Sequence, residues 1–148
     1  MTTSSRLLLG TLALGLVTTI AAGGPAGAAP ARPSVSSPLV GIVEGQRAHL
    51  TITHPVNGKH AGVCEAVLSF VDDQGGTLKQ QAVRVGPGQG TFLALDWNEG
   101  TVPNQRGRLH YRAVVTPLND GCTAAIAGHE MINNADEKTT VFIGVYME

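Results

Sequence analysis

The two cysteines of the chain, Cys64 and Cys122, are its most reactive side chains, and their number and spacing limit what they can do. A metal site would call for a third sulfur or a C-x-x-C pair, and the sequence has neither. In an oxidising compartment an isolated pair in one small domain is most simply a disulfide. The sequence therefore predicts a Cys64–Cys122 bridge, with two free thiols or a metal site as the alternatives.

Histidines are the next candidates for chemistry, because imidazole nitrogens bind transition metals. Zinc and copper sites usually need three or four convergent ligands. His49 and His54 are an odd number of positions apart, so a regular strand would turn them to opposite faces. We therefore predict no metal site and no cofactor, and interpret the histidines as surface residues on polar strand faces. The five are His49, His54, His60, His110 and His129.

Carboxylates and serines form no recognisable calcium or catalytic motif. Neither Asp72-Asp73 nor the segment 133–137 has the alternating spacing of an EF-hand loop, and turn geometry alone selects Asp and Asn. There is no G-x-S-x-G, and Ser69 has no histidine near it in the sequence to act as a base. We predict no catalytic residue and no enzymatic activity. A metalloprotein or hydrolase with a dispersed site is an alternative, since paired carboxylates for glycoside hydrolysis leave no sequence signature.

Three aromatic side chains are candidate ligand contacts: Phe92, Trp97 and Tyr111. In the alternating segment 91–97, an inward face that carries Leu93, Leu95 and Trp97 requires Phe92 to point outward. One exposed phenylalanine is ordinary, whereas a second outward aromatic beside it would favour a carbohydrate or protein contact face.

Alternation with a period of two predicts the strands that position these side chains. Turn sequences such as 72–76 and 86–90 separate the strands, because Asp and Gly supply the positive φ angles that hairpins need. No window has the apolar spacing of an amphipathic helix. About eight or nine short strands in one domain, 38–148, predict an all-β fold, specifically an immunoglobulin-like antiparallel β-sandwich. Strands are expected at 39–43, 48–53, 64–70, 78–85, 91–97, 109–115, 124–132 and 139–145.

The first 28 residues have the organisation of a secretory signal peptide. One positive charge, Arg6, precedes an apolar run over 7–22, and small residues close the segment. Signal peptidase requires small side chains before the cut, so we predict cleavage between Ala28 and Ala29. The apolar run is shorter than the roughly 20 residues that span a bilayer, which argues against a membrane anchor. Residues 29–37, rich in Ala, Pro and Ser, are expected to form a disordered tether.

Charge narrows the classes of partner. Cleavage would leave 120 residues with 9 basic and 11 acidic side chains, a net charge of −2 with histidine neutral. Binding to nucleic acid or to an anionic membrane would need a basic excess on one face, so neither is expected. The expected product is secreted or extracytoplasmic, without a membrane anchor after cleavage.

Several short motifs together carry a resemblance to known proteins. They are Gly45-Gln46, the segment 64–70, the turn 85–89, Cys122, and the run 134–140. With these motifs the chain resembles a group of small secreted bacterial immunoglobulin-like β-sandwich proteins of uncharacterised function. The resemblance implies a bacterial protein exported by the Sec pathway, and it supplies no catalytic residue. We therefore expect a non-catalytic module that contacts an extracellular protein or surface, with a small-ligand or glycan-binding module as the alternative.

Overall fold

The computed structural model describes residues 33–56, 62–100 and 107–146, which form two antiparallel β-sheets. Within these ranges there are nine strands: β1 (Val35–Ser36), β2 (Val40–Val43), β3 (Gln46–Thr53), β4 (Cys64–Asp72), β5 (Thr77–Val85), β6 (Gly90–Asp96), β7 (Arg108–Pro117), β8 (Ile126–Asn133) and β9 (Thr139–Tyr146). Two short 3-10 helices, Trp97–Gly100 and Asp120–Ala124, follow β6 and β7. The predicted signal peptide and its cleavage site, Ala28 and Ala29, lie outside the described residues. Across these ranges no helix is long and apolar enough to cross a bilayer.

The strands pair in an order that differs from their order in the chain. The first sheet runs β1–β7–β4–β5, with β2 also paired to β7, and the second sheet runs β6–β3–β8–β9. The all-β architecture of two antiparallel sheets confirms the predicted fold class at this level. Strand β5 lies at an edge of the first sheet, as its polar face suggests.

Alternating side chains from both sheets fill the space between them. Along β3 and β4 every second residue is buried, and the residues between them are only partly covered. Burying each large aliphatic or aromatic side chain contributes roughly 1.5 to 3 kcal/mol, so this alternation supplies most of the driving force for the fold. The largest fully buried apolar side chains are Tyr111, Phe70, Ile42, Ile52, Leu68, Leu95 and Leu109.

The predicted tether is too long at its C-terminal end, because its last residues belong to the first sheet. Val35 pairs with Val115 in the ladder between β1 and β7. Ser37 is buried, its backbone N–H donates to the carbonyl of Ala113 at 2.8 Å, and its Oγ accepts from the N–H of Ala113 at 3.0 Å. Small polar composition indicated a tether, but the open edge of β7 provides partners that a local reading of the sequence does not reveal.

The turn between β4 and β5 shows why aspartate stands at its start. Asp72 Oδ1 accepts hydrogen bonds from the backbone N–H groups of Gln74 at 3.0 Å and Gly76 at 2.6 Å. Gly75 has a φ of 90°, which glycine adopts without a steric penalty. These contacts show a backbone role for the Asp72 carboxylate in this turn.

The predicted disulfide between Cys64 and Cys122 is confirmed. It joins the start of β4 to the 3-10 helix that carries the chain from the first sheet to the second. Both cysteines are buried, and Asn119 adds two contacts beside them: its Oδ1 accepts from the N–H of Glu65 at 3.1 Å and its Nδ2 donates to the carbonyl of Val63 at 3.0 Å. The bridge therefore fastens one end of the sandwich and does not cross its centre.

We expect the double variant Cys64→Ala/Cys122→Ala to keep the sheets but to unfold more easily. The bridge spans a sequence separation of 58 residues. Closing a loop of that length removes denatured-state entropy equivalent to roughly 4 kcal/mol, and the apolar alternation remains in the variant. Urea denaturation followed by circular dichroism measures both quantities. A variant as stable as the wild type, or one without β-sheet signal, would contradict this account.

Candidate functional site

The outer side of the second sheet carries a continuous set of polar and aromatic side chains, which we call the Phe92 face: Arg47, His49, Thr51, Phe92 and Glu130. The register pairs Phe92 with Thr51 and His49 with Glu130, so residues from β3, β6 and β8 lie side by side. Phe92 points outward, as the alternation of β6 predicts, and 54 % of its surface is exposed.

The aromatic contact at the centre of the Phe92 face holds an exposed ring in place. The rings of His49 and Phe92 are stacked, with centroids 4.8 Å apart and planes at 29°. His49 Nδ1 lies 3.5 Å from the Glu130 carboxylate, which orients the imidazole from the opposite side. Phe92 therefore has less rotamer freedom to lose when it packs against another surface.

The row of paired residues that contains Phe92 continues through Thr51 to two glycines. Thr51 donates its hydroxyl to the carbonyl of Gly128 at 3.0 Å, and Gly128 pairs with Gly144 on the next strand. Two glycines in register leave the backbone of β8 and β9 without side chains there. A molecule that approaches this face meets an aromatic ring, an imidazole and a carboxylate.

The second candidate site is concave and lies at the end of the sandwich opposite the disulfide. We call it the Trp97 pocket. It has a volume of about 290 Å³. The N–H of Asn134 donates to the carbonyl of Gly45 at 2.8 Å, which joins the β8–β9 turn to the β2–β3 turn. The residues that line the pocket include two with carboxylates, three with carboxamides and one with an indole. They are Glu44, Gly45, Gln46, Asp96, Trp97, Asn98 and Asn134.

An ion pair fixes the 3-10 helix that carries Trp97. Lys79 Nζ donates to Glu99 at 2.7 Å, and Glu99 Oε2 accepts from the backbone N–H of Asp96 at 3.0 Å. The hydrogen bond from Lys79 and then the one from Asp96 lower the pKa of Glu99 below its ordinary value. Glu99 therefore stays ionised and holds the helix against β5.

Tyr111 lies in the core and is not accessible to a ligand on the surface. Its hydroxyl is 2.9 Å from His129 Nε2, which joins β7 of the first sheet to β8 of the second. Phe70 contacts the Tyr111 ring edge-on at 5.3 Å between centroids. Burial raises the pKa of the Tyr111 hydroxyl far above its usual value. Burial also lowers the pKa of His129 to about 4, although the charge of Glu130 opposes this shift.

The expectation that the histidines are surface residues is wrong for two of them. His54 has no exposed surface and His129 is 2 % exposed. His54 Nε2 lies 3.1 Å from the carbonyl of Gly121, which connects the end of β3 to the helix that carries Cys122. Alternation along β8 places His129 on the same face as the buried Ala127, so the sequence could have indicated that His129 is buried. The small residues around it make this alternation hard to recognise.

The candidate residues from the sequence lie in three different places. Phe92 is on the outer face of the second sheet, Trp97 is in the pocket at the end of the sandwich, and Tyr111 is in the core. His60 lies outside the described residues. Within the three described ranges no group of three His, Cys, Asp or Glu side chains is arranged to hold a metal ion.

Three comparisons with known proteins found no match for this chain. No protein-family model, no curated protein and no solved structure matches it. Its function must therefore be argued from the geometry of the two surface features and of the buried pair.

We expect the free energy of unfolding to fall as the pH is lowered from about 6.5 to about 4. Between these values the unfolded state binds a proton on residue 129, whereas the folded state, with the pKa of His129 at about 4, binds it only at the lower end. Stability present near neutral pH is lost across this window, by an amount on the order of 2 kcal/mol.

Urea denaturation at pH 7, 5.5 and 4 measures this slope. The matched variant His129→Gln can still accept from Tyr111 but does not titrate, so its stability should vary less over the same interval. All other titrating groups are shared by the two proteins. Equal slopes for both proteins would assign the acid sensitivity to another group.

Proposed function

We propose that this chain is a non-catalytic, exported domain that binds an extracellular protein through the Phe92 face. The observation that carries the proposal is the exposure of Phe92 together with its stack on His49. Aromatic side chains, phenylalanine among them, are enriched at protein–protein interfaces relative to the rest of the surface. The neighbouring Glu130 and Arg47 supply the charged rim that such contacts require.

Export to an oxidising compartment is part of this proposal. A disulfide in a small domain is typical of secreted and periplasmic proteins and rare in reducing compartments. The signal-like pattern of residues 1–28, with cleavage between Ala28 and Ala29, supports bacterial Sec-type export. An extracytoplasmic location would place the Phe92 face where it meets extracellular partners.

An immunoglobulin-like topology also belongs to the proposal, with departures in the first and last strands. Strands β1 and β2 pair with β7, whereas strand A of an immunoglobulin domain belongs to the sheet of B and E. In immunoglobulin domains strand B pairs with E, and C pairs with F. The pairs β3–β6 and β4–β7 occupy the corresponding positions in chain order. Here, however, β8 pairs with β3 in the second sheet, whereas the last strand of an immunoglobulin domain pairs with F.

We expect Phe92→Ala to weaken binding to the partner. The wild-type protein is immobilised and incubated with culture supernatant and with a cell-envelope extract, and the retained proteins are quantified by mass spectrometry. Truncating an aromatic residue at the centre of an interface costs about 2 kcal/mol, which is a roughly thirty-fold loss of affinity.

The control is Leu118→Ala. Leu118 is 57 % exposed, comparable with Phe92, but it follows β7 at the disulfide end and is not part of the Phe92 face. A protein retained by the wild type and by Leu118→Ala, but not by Phe92→Ala, supports the proposal. Retention that is unchanged by Phe92→Ala contradicts it.

Binding of a small polyhydroxylated ligand, such as a sugar, is the second candidate, and the Trp97 pocket favours it. Carboxylates accept hydrogen bonds from hydroxyls, carboxamides both donate and accept, and an indole packs on the apolar side of a sugar ring. The described lining contains no lysine or arginine. The two carboxylates, from Glu44 and Asp96, disfavour sialylated or sulfated sugars.

We expect a glycan array to show neutral sugars bound by the wild type and bound about tenfold more weakly by Glu44→Gln. That variant keeps the size of an exposed side chain but removes one charged acceptor, which contributes about 1.5 to 3 kcal/mol in a hydrogen bond. Asp73→Asn, an equivalent change in an exposed turn outside the pocket, is the control. No bound sugar, or equal binding by both variants, would exclude the pocket as a sugar site.

A further inference from the structure

A narrow cavity lies between the two sheets, next to the edge strand β1. Its volume is about 10 Å³, which is the room that one water molecule needs. Most of its described lining is apolar, and among those residues Ser37 and His129 have polar side chains. Residues of both sheets contribute to its walls, among them Val35, Ser37, Ala113 and Val115 from the first sheet and Leu50 and His129 from the second.

The imidazole of His129 is satisfied on one side only. Its Nε2 atom is 2.9 Å from the Tyr111 hydroxyl. Its Nδ1 atom is buried, and no group of the described residues forms a hydrogen bond with it. A buried polar atom without a partner loses its interaction with water and gains nothing in return, so such atoms are rare in folded proteins.

The donors and acceptors around His129 determine which of its two ring nitrogens carries the proton. With the proton on Nδ1, Tyr111 donates to Nε2, and one donor, the Nδ1–H group, is left over. With the proton on Nε2, that group donates to Tyr111. The tyrosine O–H and the Nδ1 lone pair are then both left over. The Nδ1–H tautomer leaves fewer groups unpaired and is therefore favoured.

We propose that the cavity is a binding site for one water molecule, which accepts a hydrogen bond from His129 Nδ1–H and donates one to Ser37 Oγ. Ser37 Oγ accepts from the N–H of Ala113 at 3.0 Å and donates to the carbonyl of Pro38 at 2.9 Å. A hydroxyl oxygen has two lone pairs, so one remains for the water. A buried water typically makes two to four such contacts.

The water site links parts of the chain that otherwise make few contacts. Ser37 directly follows the two-residue strand β1, whereas His129 belongs to the opposite sheet. The bridge would therefore connect the N-terminal edge of the first sheet to the centre of the second. It also exists only while β1 is paired with β7, because Val35 and Ser37 form part of its wall.

Nuclear magnetic resonance on the ¹⁵N-labelled protein at neutral pH tests both parts of the proposal. The ring nitrogen shifts of His129 should show a protonated Nδ1 and an unprotonated Nε2 that accepts a hydrogen bond. The Nδ1 proton should show a cross-peak to a long-lived water molecule. Either of two results on the wild-type protein would overturn the proposal: a protonated Nε2, or a protonated Nδ1 without a water cross-peak.

Two serine variants test the second contact of the water. Ser37→Ala removes the acceptor and should abolish the water cross-peak at His129. Ser36→Ala changes the exposed neighbouring serine and should leave the cross-peak intact. A cross-peak that persists unchanged in Ser37→Ala would show that Ser37 does not hold the water, and the bridge between β1 and β8 would be rejected.

Discussion

The two-residue period of an extended strand, applied to β3, is the constraint on which most of this structure depends. Strand β3 pairs with β6 on one side and β8 on the other, so its register fixes the middle of the second sheet. One set of its residues, Ala48, Leu50 and Ile52, faces the core. The intervening residues His49 and Thr51 face outward and meet Phe92. A slip of one residue would bury the polar set and expose the apolar set, so core packing and the Phe92 face depend on the same register.

The Tyr111–His129 pair places two polar side chains in the largely apolar core between the sheets. A tyrosine–histidine contact costs more to bury than an apolar pair, but it is directional, so it favours one alignment of β7 against β8. Phe70 packs edge-on against Tyr111 and restricts its ring. The pair thus favours one alignment of the two sheets. In return, the stability of the fold depends on His129 remaining neutral.

Local patterns in the sequence predicted most strands, because alternation and turn residues act over a few positions. The Cys64–Cys122 bridge followed from counting, since the chain has no other cysteine. The burial of His54 could not be read in this way, because its partner Gly121 is distant in sequence. The alternation of β8 does indicate His129, but the small residues around it make that pattern weak, and its partner Tyr111 lies on another strand. The Trp97 pocket was equally hidden, since its walls come from two turns and a 3-10 helix that only the folded chain brings together.

The two ends of the sandwich differ in how tightly they are fastened, and this difference bears on function. At one end the disulfide, the His54 contact with Gly121 and the two hydrogen bonds of Asn119 fix the crossing from the first sheet to the second. At the other end the described contacts are noncovalent: the Asn134 N–H donates to the carbonyl of Gly45, and Lys79 pairs with Glu99 of the short helix. Binding sites that must admit a ligand are usually built from loops on a rigid scaffold. A covalently fastened end allows the opposite end to remain open without loss of the sheets that position it.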